Sequence, residues 1–261
     1  MSSAAEVHPT AIVDPSAELG DRVRIGPHCV VGADVTIGDG TNLVSHVVVE
    51  GPTEIGPDNV VSPFASIGGP PQDLKYDGEP TRLIVGARNR IREHVTLNRG
   101  TVGGGGLTRI GDDNLLMALV HIGHDCIAGS RIVFAHAATL AGHVEVGDDA
   151  TVGAYSGVHQ FCRVARHAFI GGYSVVTKDA LPWVTTVGNR AETHGVNLIG
   201  MKRKGYPPEV IRAVKDCYRT LFRSKRTLAD AILEVEKAHG DVEEVRYFLE
   251  FVRSSERGVI R

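Results

Sequence analysis

Aromatic side chains are scarce, 5% of 261 residues with a single tryptophan, so a core of a few bulky rings is not expected. No sign of charge dominates: the formal net charge is −3 at neutral pH, which argues against general affinity for nucleic acid or an anionic membrane surface. Eighteen apolar residues never run together, so no membrane span is expected. The four cysteines, Cys29, Cys126, Cys162 and Cys217, are far apart and form no CxxC pair. They predict reduced cytoplasmic thiols, not a disulfide framework or a zinc ribbon. The start, MSSAAEVHPTAIVDPS, has no basic segment leading into an apolar run, so no secretory leader is expected. Glycine is plentiful, with 31 residues. Together with few aromatics, this points to small branched core residues carried through frequent tight turns.

A six-residue spacing organises most of the chain. From Val7 it passes through Val13, Leu19, Ile25, Val31, Ile37, Leu43, Val49, Ile55, Val61 and Ile67. It lapses across Gly68 to Ile84 and resumes at Val85, Ile91 and Leu97. The segment TVGGGGLTR shifts its phase by one. From Ile110 it runs through Leu116, Ile122, Ala128, Phe134, Leu140, Val146, Val152, Val158, Val164 and Ile170 to Val176. A period of six fits neither a helix nor a simple alternating strand. It fits a short strand and a bend, with one apolar side chain inward per repeat. Three such units close a coil of 18 residues, and coils stack at about 4.8 Å. Each inward side chain contributes about 1.5–3 kcal/mol when fully buried, enough for a core without large rings. The pattern resembles the hexapeptide repeat of left-handed β-helix acyltransferases, and the handedness is implied by that resemblance alone. The expected fold is mainly β: a left-handed parallel β-helix over residues 1–190, with inserted loops near 68–84 and 101–109, and a C-terminal α-helical domain over 191–261.

Beyond Val176 the spacing stops, and Pro182 and Pro208 punctuate the change. PPEVIRAVKDCYRTLFRS places Val210, Val214, Cys217, Tyr218 and Leu221 on one helical stripe. Thr227 to Asp230 has the form of a helix start, and DVEEVRYFLEFVRSS forms a further helix with Val245, Phe248, Leu249 and Val252 inward.

An 18-residue coil also predicts which positions lie above one another. His124 falls under Gly142 and then Gln160, and Asp125 under His143 and then Phe161. His121, His124, Asp125, His143, His159 and Gln160 therefore gather on one outer edge, where the repeat itself requires no histidine. Imidazole can accept a proton from a sugar hydroxyl near neutral pH. Gly142, lacking a side chain, leaves its N–H open to a developing oxyanion. Two other readings remain open: histidines that merely cap turns, and a zinc site like that of a related β-helix carbonic anhydrase.

Particular segments narrow the resemblance. SHVVVEG, PPQDLKYDGEPTR, NRIRE, LNRGT, GGGLT, DNLLMALVHIGHDC, ATLAGHV, VHQFC, GNRAETHGVN, MKRKG and the closing SSERGVIR are similar to the UDP-N-acetylglucosamine acyltransferase family of lipid A biosynthesis, over essentially the whole chain. The resemblance implies transfer of a (3R)-3-hydroxyacyl group from acyl carrier protein to the 3-position of UDP-N-acetylglucosamine, by a cytoplasmic homotrimer that needs no cofactor. It implies His124 as base, Asp125 as its orienting partner, provided Asp125 lies at a bend, and Gly142 as oxyanion donor. Asp73, Lys75, His121, His143, Gln160, Asn197 and Arg203 match substrate contacts, with Lys75 suited to a diphosphate. Gly172 and Arg190 match the far end of an acyl groove. Ile199 stands where better-known members carry an acidic residue near the nucleotide, and Arg190 where they often carry histidine. Lys202, Arg203 and Lys204, with Arg219, Arg223, Lys225 and Arg226, offer a basic face to the acidic carrier protein. Two further classes stay in view. One is a relative that N-acylates an already acylated glucosamine, which usually has an extra N-terminal domain. The other is a β-helix that binds or scaffolds without catalysis.

Overall fold

The computed structural model describes residues 4–261. From Glu6 to Val176 the chain is a succession of strands two to four residues long. Every third strand joins the same parallel sheet, giving three sheets. Face A begins at Glu6–Val7, face B at Ile12–Val13 and face C at Glu18–Leu19. Glu6 lies opposite Arg24, Ile12 opposite Val30 and Glu18 opposite Thr36, an offset of 18. The three faces form a left-handed parallel β-helix of triangular section. Its three corners are the turns AB, BC and CA.

The spacing residues point inward. From Ile25 to Val176 they are buried, whereas Val7 in the first coil is 45% exposed. Most turns from Arg22 onward hold one residue in the left-handed region, such as Arg22, His28 and Asp34 in successive turns (φ 55°, 57° and 56°). Non-glycine residues there cost roughly 1–2 kcal/mol. Coil-to-coil hydrogen bonds offset that strain: His46 N–H donates to Pro27 O at 3.0 Å and Asp58 N–H to Asp39 O at 2.8 Å. Glycine after the inward residue allows close stacking; a Cβ on Gly26 would stand 1.8 Å from Val44 O. At corner CA, buried Asn59, Asn89 and Asn114 form a ladder. The side-chain oxygen of each accepts a backbone N–H from the next coil, that of Asn89, Asn114 and Ile132, at 2.8–2.9 Å.

Both interruptions of the spacing leave the coil at corner BC. The first lies between Ser66–Gly69 on face B and Arg82–Val85 on face C, and the second between Thr96–Asn98 and Leu107–Ile110. Arg99 ties them together, donating to Gly51 O (2.7 Å), Gly68 O (2.6 Å) and the Tyr76 hydroxyl (3.1 Å).

Past Val176 the expectation of helices alone omits two elements. Val184–Val187 continues face A beside Phe169–Ile170 and pairs antiparallel with Glu192–Val196. Helix α1, Leu198–Arg203, follows directly. Both are too short to show a period. Helices α2 (Pro208–Phe222), α3 (Leu228–His239, capped by Thr227) and α4 (Glu243–Arg253) pack on a second core that includes Trp183, Met201, Val214, Cys217, Val235, Phe248 and Leu249. The chain returns to the coil at its end, where Ile260 N–H donates to Asp179 O at 2.9 Å and its side chain joins the coil core. Among the described residues no helix is long and apolar enough to cross a membrane.

Candidate active site

The turn His124–Cys126 joins His121–Ile122 on face B to Ile127–Ala128 on face C, so it lies at corner BC one coil above the second insertion. Asp125 occupies the left-handed corner position (φ 60°), which turns its side chain back beside its neighbour. His124 Nδ1 and Asp125 Oδ2 are 2.8 Å apart. A carboxylate at Nδ1 assigns the proton to that nitrogen and leaves Nε2 as acceptor. The Asp125 side chain is 1% exposed and that of His124 16%. Burying a carboxylate demands partners. Thr101 supplies two, its N–H to Oδ1 (2.8 Å) and its hydroxyl to Oδ2 (2.6 Å), while Asp125 N–H donates to Thr108 Oγ1 (2.7 Å).

Gly142 sits directly above His124. A Cβ there would come within 2.4–2.6 Å of the imidazole, so only glycine lets the ring keep this place. Its N–H, like those of His124 and Gln160 at equivalent turn positions, makes no backbone hydrogen bond. His143 lies over Asp125, with Nε2 3.7 Å from Oδ2, and its ring stacks on Phe161 at 4.4 Å. His121 points outward from face B beside Thr96 of the coil below, Nδ1 to Oγ1 2.7 Å. His159 and Gln160 are exposed on the same corner, one coil above Gly142.

A cavity of about 380 Å³ opens beside this cluster, lined by Asp73, Lys75, Tyr76, Thr101, His143 and Phe161 among others. The first insertion thus brings Asp73 and Lys75 to the histidines. Cys126, next to Asp125, is inward and its thiol is pushed up to about 12 by burial, which removes it as a nucleophile. Ligating atoms of His124, Asp125 and His143 lie within 4.8 Å of one another, so the donor types suit a divalent metal, although Asp125 already accepts from both donors of Thr101.

Burial holds His121 below the usual imidazole value, with His124 adding to the effect. Burial does the same to His143, against a smaller opposing pull from Asp125. Both are therefore neutral at pH 7. The unfolded chain takes up these protons near pH 6.5, before the folded one does. This contribution to stability is complete above that pH and is lost as the solution is acidified through and below it. Thermal unfolding is expected to show the melting point falling between pH 7 and 5, with the His121 and His143 ring resonances titrating below 6.5 in NMR. A melting point flat over that range, or a midpoint at or above 6.5 for either ring, would contradict this.

The remaining expected contacts lie elsewhere in the chain. Asn197 and Arg203 line a second cavity, about 550 Å³, with Thr151, His167, Trp183 and Tyr206. It sits on face A near corner CA, across the triangle from corner BC. Ile199, 65% exposed, is on its wall. Asn197 caps α1, its side-chain oxygen accepting from Gly200 N–H at 2.9 Å. Gly172 lies at corner AB, and Arg190 in the hairpin connection above it, which bonds back to Ser174 and Val175. The basic face is smaller than its residues suggest. Lys204 pairs with Asp149, Arg226 pairs with Glu234, and Arg223 is held by Thr193 O and Tyr218. Lys202, Arg203, Arg219 and Lys225 remain exposed.

Residues 179–260 match the family described as UDP N-acetylglucosamine O-acyltransferase, domain 2, and residues 16–51 match six bacterial transferase hexapeptide repeats. The chain is 52% identical to the acyl-[acyl-carrier-protein]–UDP-N-acetylglucosamine O-acyltransferase of Alkalilimnicola ehrlichii, covering 98% of this chain and 99% of the relative. The chain belongs to the UDP-N-acetylglucosamine O-acyltransferase family. It is an acyltransferase. The Burkholderia lata relative of the same name is 48% identical over 98% of this chain and 99% of its own. The crystal structure of UDP-N-acetylglucosamine O-acyltransferase from Moraxella catarrhalis superposes with a TM-score of 0.95 at 45% identity, covering 98% and 99% of the two chains.

Thr96, Thr101, Thr108 and Arg99 were not singled out by sequence. The signal available for the threonines was positional. The glycine-rich phase break falls one coil below HIGHDC, and Thr101 and Thr108 flank it.

Proposed function

We propose that this protein transfers a (3R)-3-hydroxyacyl chain from acyl carrier protein to the 3-position of UDP-N-acetylglucosamine, the first step of lipid A biosynthesis, with His124 as general base. The observation that carries the base assignment is the 2.8 Å contact of His124 Nδ1 with buried Asp125. Nε2 takes the proton of the sugar 3-hydroxyl as its oxygen attacks the thioester carbonyl. The oxyanion of the tetrahedral intermediate accepts from Gly142 N–H. As the C–S bond breaks, the imidazolium returns its proton to the departing thiolate, giving free carrier-protein thiol and the sugar ester. Asp125 holds the tautomer and stabilises the imidazolium. Neutral His121 and His143, with Asp73, Lys75 and Gln160, surround the sugar and diphosphate at the cavity mouth.

The working unit is a homotrimer. Asn197 and Arg203 reach the same substrate only if face A of one copy meets corner BC of another. The surface supports that arrangement. Corner AB carries a ladder of exposed rings, His28, His46, Phe64 and His94, at 4.9–5.1 Å, continued upward by Leu119, Tyr155 and Tyr173. Face C instead presents Glu18, Glu54, Arg109, Glu145 and Arg163 outward. With AB at a three-fold axis, face B of each copy lines a cleft against the neighbour's face A. Corner BC, with His124, then stands at the outer end of that cleft beside the neighbour's corner CA. Gly172 and Arg190 lie toward its inner end, which suits an apolar acyl chain. The unpaired, buried cysteines favour a cytoplasmic location.

The test offers the trimer UDP-N-acetylglucosamine, or its 3-amino analogue, with carrier proteins bearing 3-hydroxyacyl chains of several lengths, and reads products by mass spectrometry. One acylated sugar nucleotide is expected, in full yield after chelator treatment. No product from any pairing would exclude this reaction, and loss on chelation restored by zinc would favour a metal at His124, Asp125 and His143.

A further inference from the structure

We propose that Thr101 and Gly104, in the second insertion, are positioning residues that set the Asp125 carboxylate against His124. This inference rests on His124 being the base. Thr101 is extended (φ −117°, ψ 155°) and caps a single 3-10 turn, Val102–Gly104. Its Oγ1 accepts from Gly104 N–H at 3.1 Å and so turns its own proton outward, to Asp125 Oδ2 at 2.6 Å. The result is a directed relay: Gly104 N–H to the Thr101 hydroxyl, that hydroxyl to Oδ2, and His124 Nδ1–H to the same oxygen. Thr101 N–H holds Oδ1 at 2.8 Å. A carboxylate rotated about its Cβ–Cγ bond would lose that backbone bond and offer His124 a different oxygen. Two donors of one residue, its backbone N–H and its hydroxyl, each on a different carboxylate oxygen, oppose the rotation.

Gly104 completes the seat. A Cβ at this position would stand 2.1 Å from Asp125 Cγ and 2.3–2.4 Å from its oxygens. Those separations are too short for any side chain, so alanine must displace the carboxylate. The other glycines of the run differ. Gly105 and Gly106 have φ of 92° and 77°, and a Cβ on Gly103 meets nothing within 4 Å. Only Gly104 is required by the dyad. Because Thr101 also lines the cavity shared with Asp73 and Lys75, one turn joins the orientation of the base to the wall against which the sugar nucleotide lies.

Thr101→Val keeps the shape and the backbone donor but removes the hydroxyl. It is expected to lower kcat about 10- to 100-fold, the usual cost of losing a partner that orients a catalytic group, with KM for the sugar nucleotide within about twofold. The acid limb of the pH–rate profile should move to higher pH, because a carboxylate relieved of one donor holds the imidazolium more strongly. Thr101→Ser should restore both rate and profile, and Gly104→Ala should lose at least as much activity as Thr101→Val, with a lowered melting point because the displaced buried carboxylate gives up its donors. A Thr101→Val enzyme with wild-type kcat and pH profile would overturn the proposal. So would a rate loss that tracks the melting point, leaves the acid limb in place and is not restored by serine. If His124→Ala is inactive while Thr101→Val is unchanged, only the positioning role falls; an active His124→Ala removes both.

Discussion

Replacing His124 with alanine is expected to lower kcat by about 10³-fold or more while the protein folds, assembles and melts as the wild type does. General-base catalysis alone contributes roughly 10²–10⁴-fold. In the proposed mechanism the same imidazole also returns its proton to the leaving thiolate, so its loss would be felt in both halves of the reaction. Structural consequences are small for a local reason. His124 is a corner residue with only its imidazole facing the cleft, and its one side-chain hydrogen bond runs to Asp125. In the variant Asp125 keeps both donors of Thr101, so no buried carboxylate is left unpaired. Steady-state kinetics with sugar nucleotide and acylated carrier protein, beside circular dichroism and sedimentation, checks both halves of the expectation. KM for the sugar nucleotide should change little, since His121, His143 and Lys75 stay in place. A variant that folds and assembles as the wild type does, yet turns over at more than a tenth of its rate, would take the base role away from His124.

The coil was legible because each repeat states its own geometry: one inward aliphatic every six residues, whatever the neighbouring coils do. The same arithmetic put Gly142 over His124 and His143 over Asp125, since stacking at 18 residues needs no knowledge of side-chain conformation. The Asp125–His124 contact was harder to read. Adjacent strand residues face opposite ways, and only a left-handed corner at Asp125 brings the two side chains together. Corners of this kind are occupied here by Arg, His, Asp, Phe, Leu, Ala, Tyr and Trp, so residue type does not announce them. Thr101 was invisible for a different reason. The insertion that carries it shifts the phase, and past a shift the spacing no longer says what stacks on what. The hairpin Val184–Val187 with Glu192–Val196 and the six-residue α1 lie below the length at which period separates strand from helix. The separation of Asn197 and Arg203 from His124 could not be read at all, because the resemblance names residues without saying which chain of an assembly supplies them.

That separation sets the second large effect: Phe64→Glu is expected to yield a folded monomer with transfer reduced by about two orders of magnitude or more. Phe64 is 53% exposed at corner AB, between the rings of His46 and His94. In a single chain a glutamate there faces water, and the hydrophobic loss is small. With corner AB at a three-fold axis, the substitution brings three like-charged carboxylates together where rings had packed, each still flanked by the His46 and His94 imidazoles of its own chain. Their mutual repulsion and partial desolvation, together with the lost packing of one ring per copy, oppose assembly. The His124–Asp125 dyad would survive, since Thr101 and His124 of the same chain hold both Asp125 oxygens. Activity would fall because Asn197 and Arg203, across the triangle from corner BC, could no longer reach a sugar nucleotide seated at His124. Sedimentation gives the oligomeric state and the transfer assay the rate. A glutamate variant that stays trimeric would move the axis away from corner AB. A monomer with full activity would mean that a single chain holds the complete site, and that Asn197 and Arg203 serve some other purpose on face A.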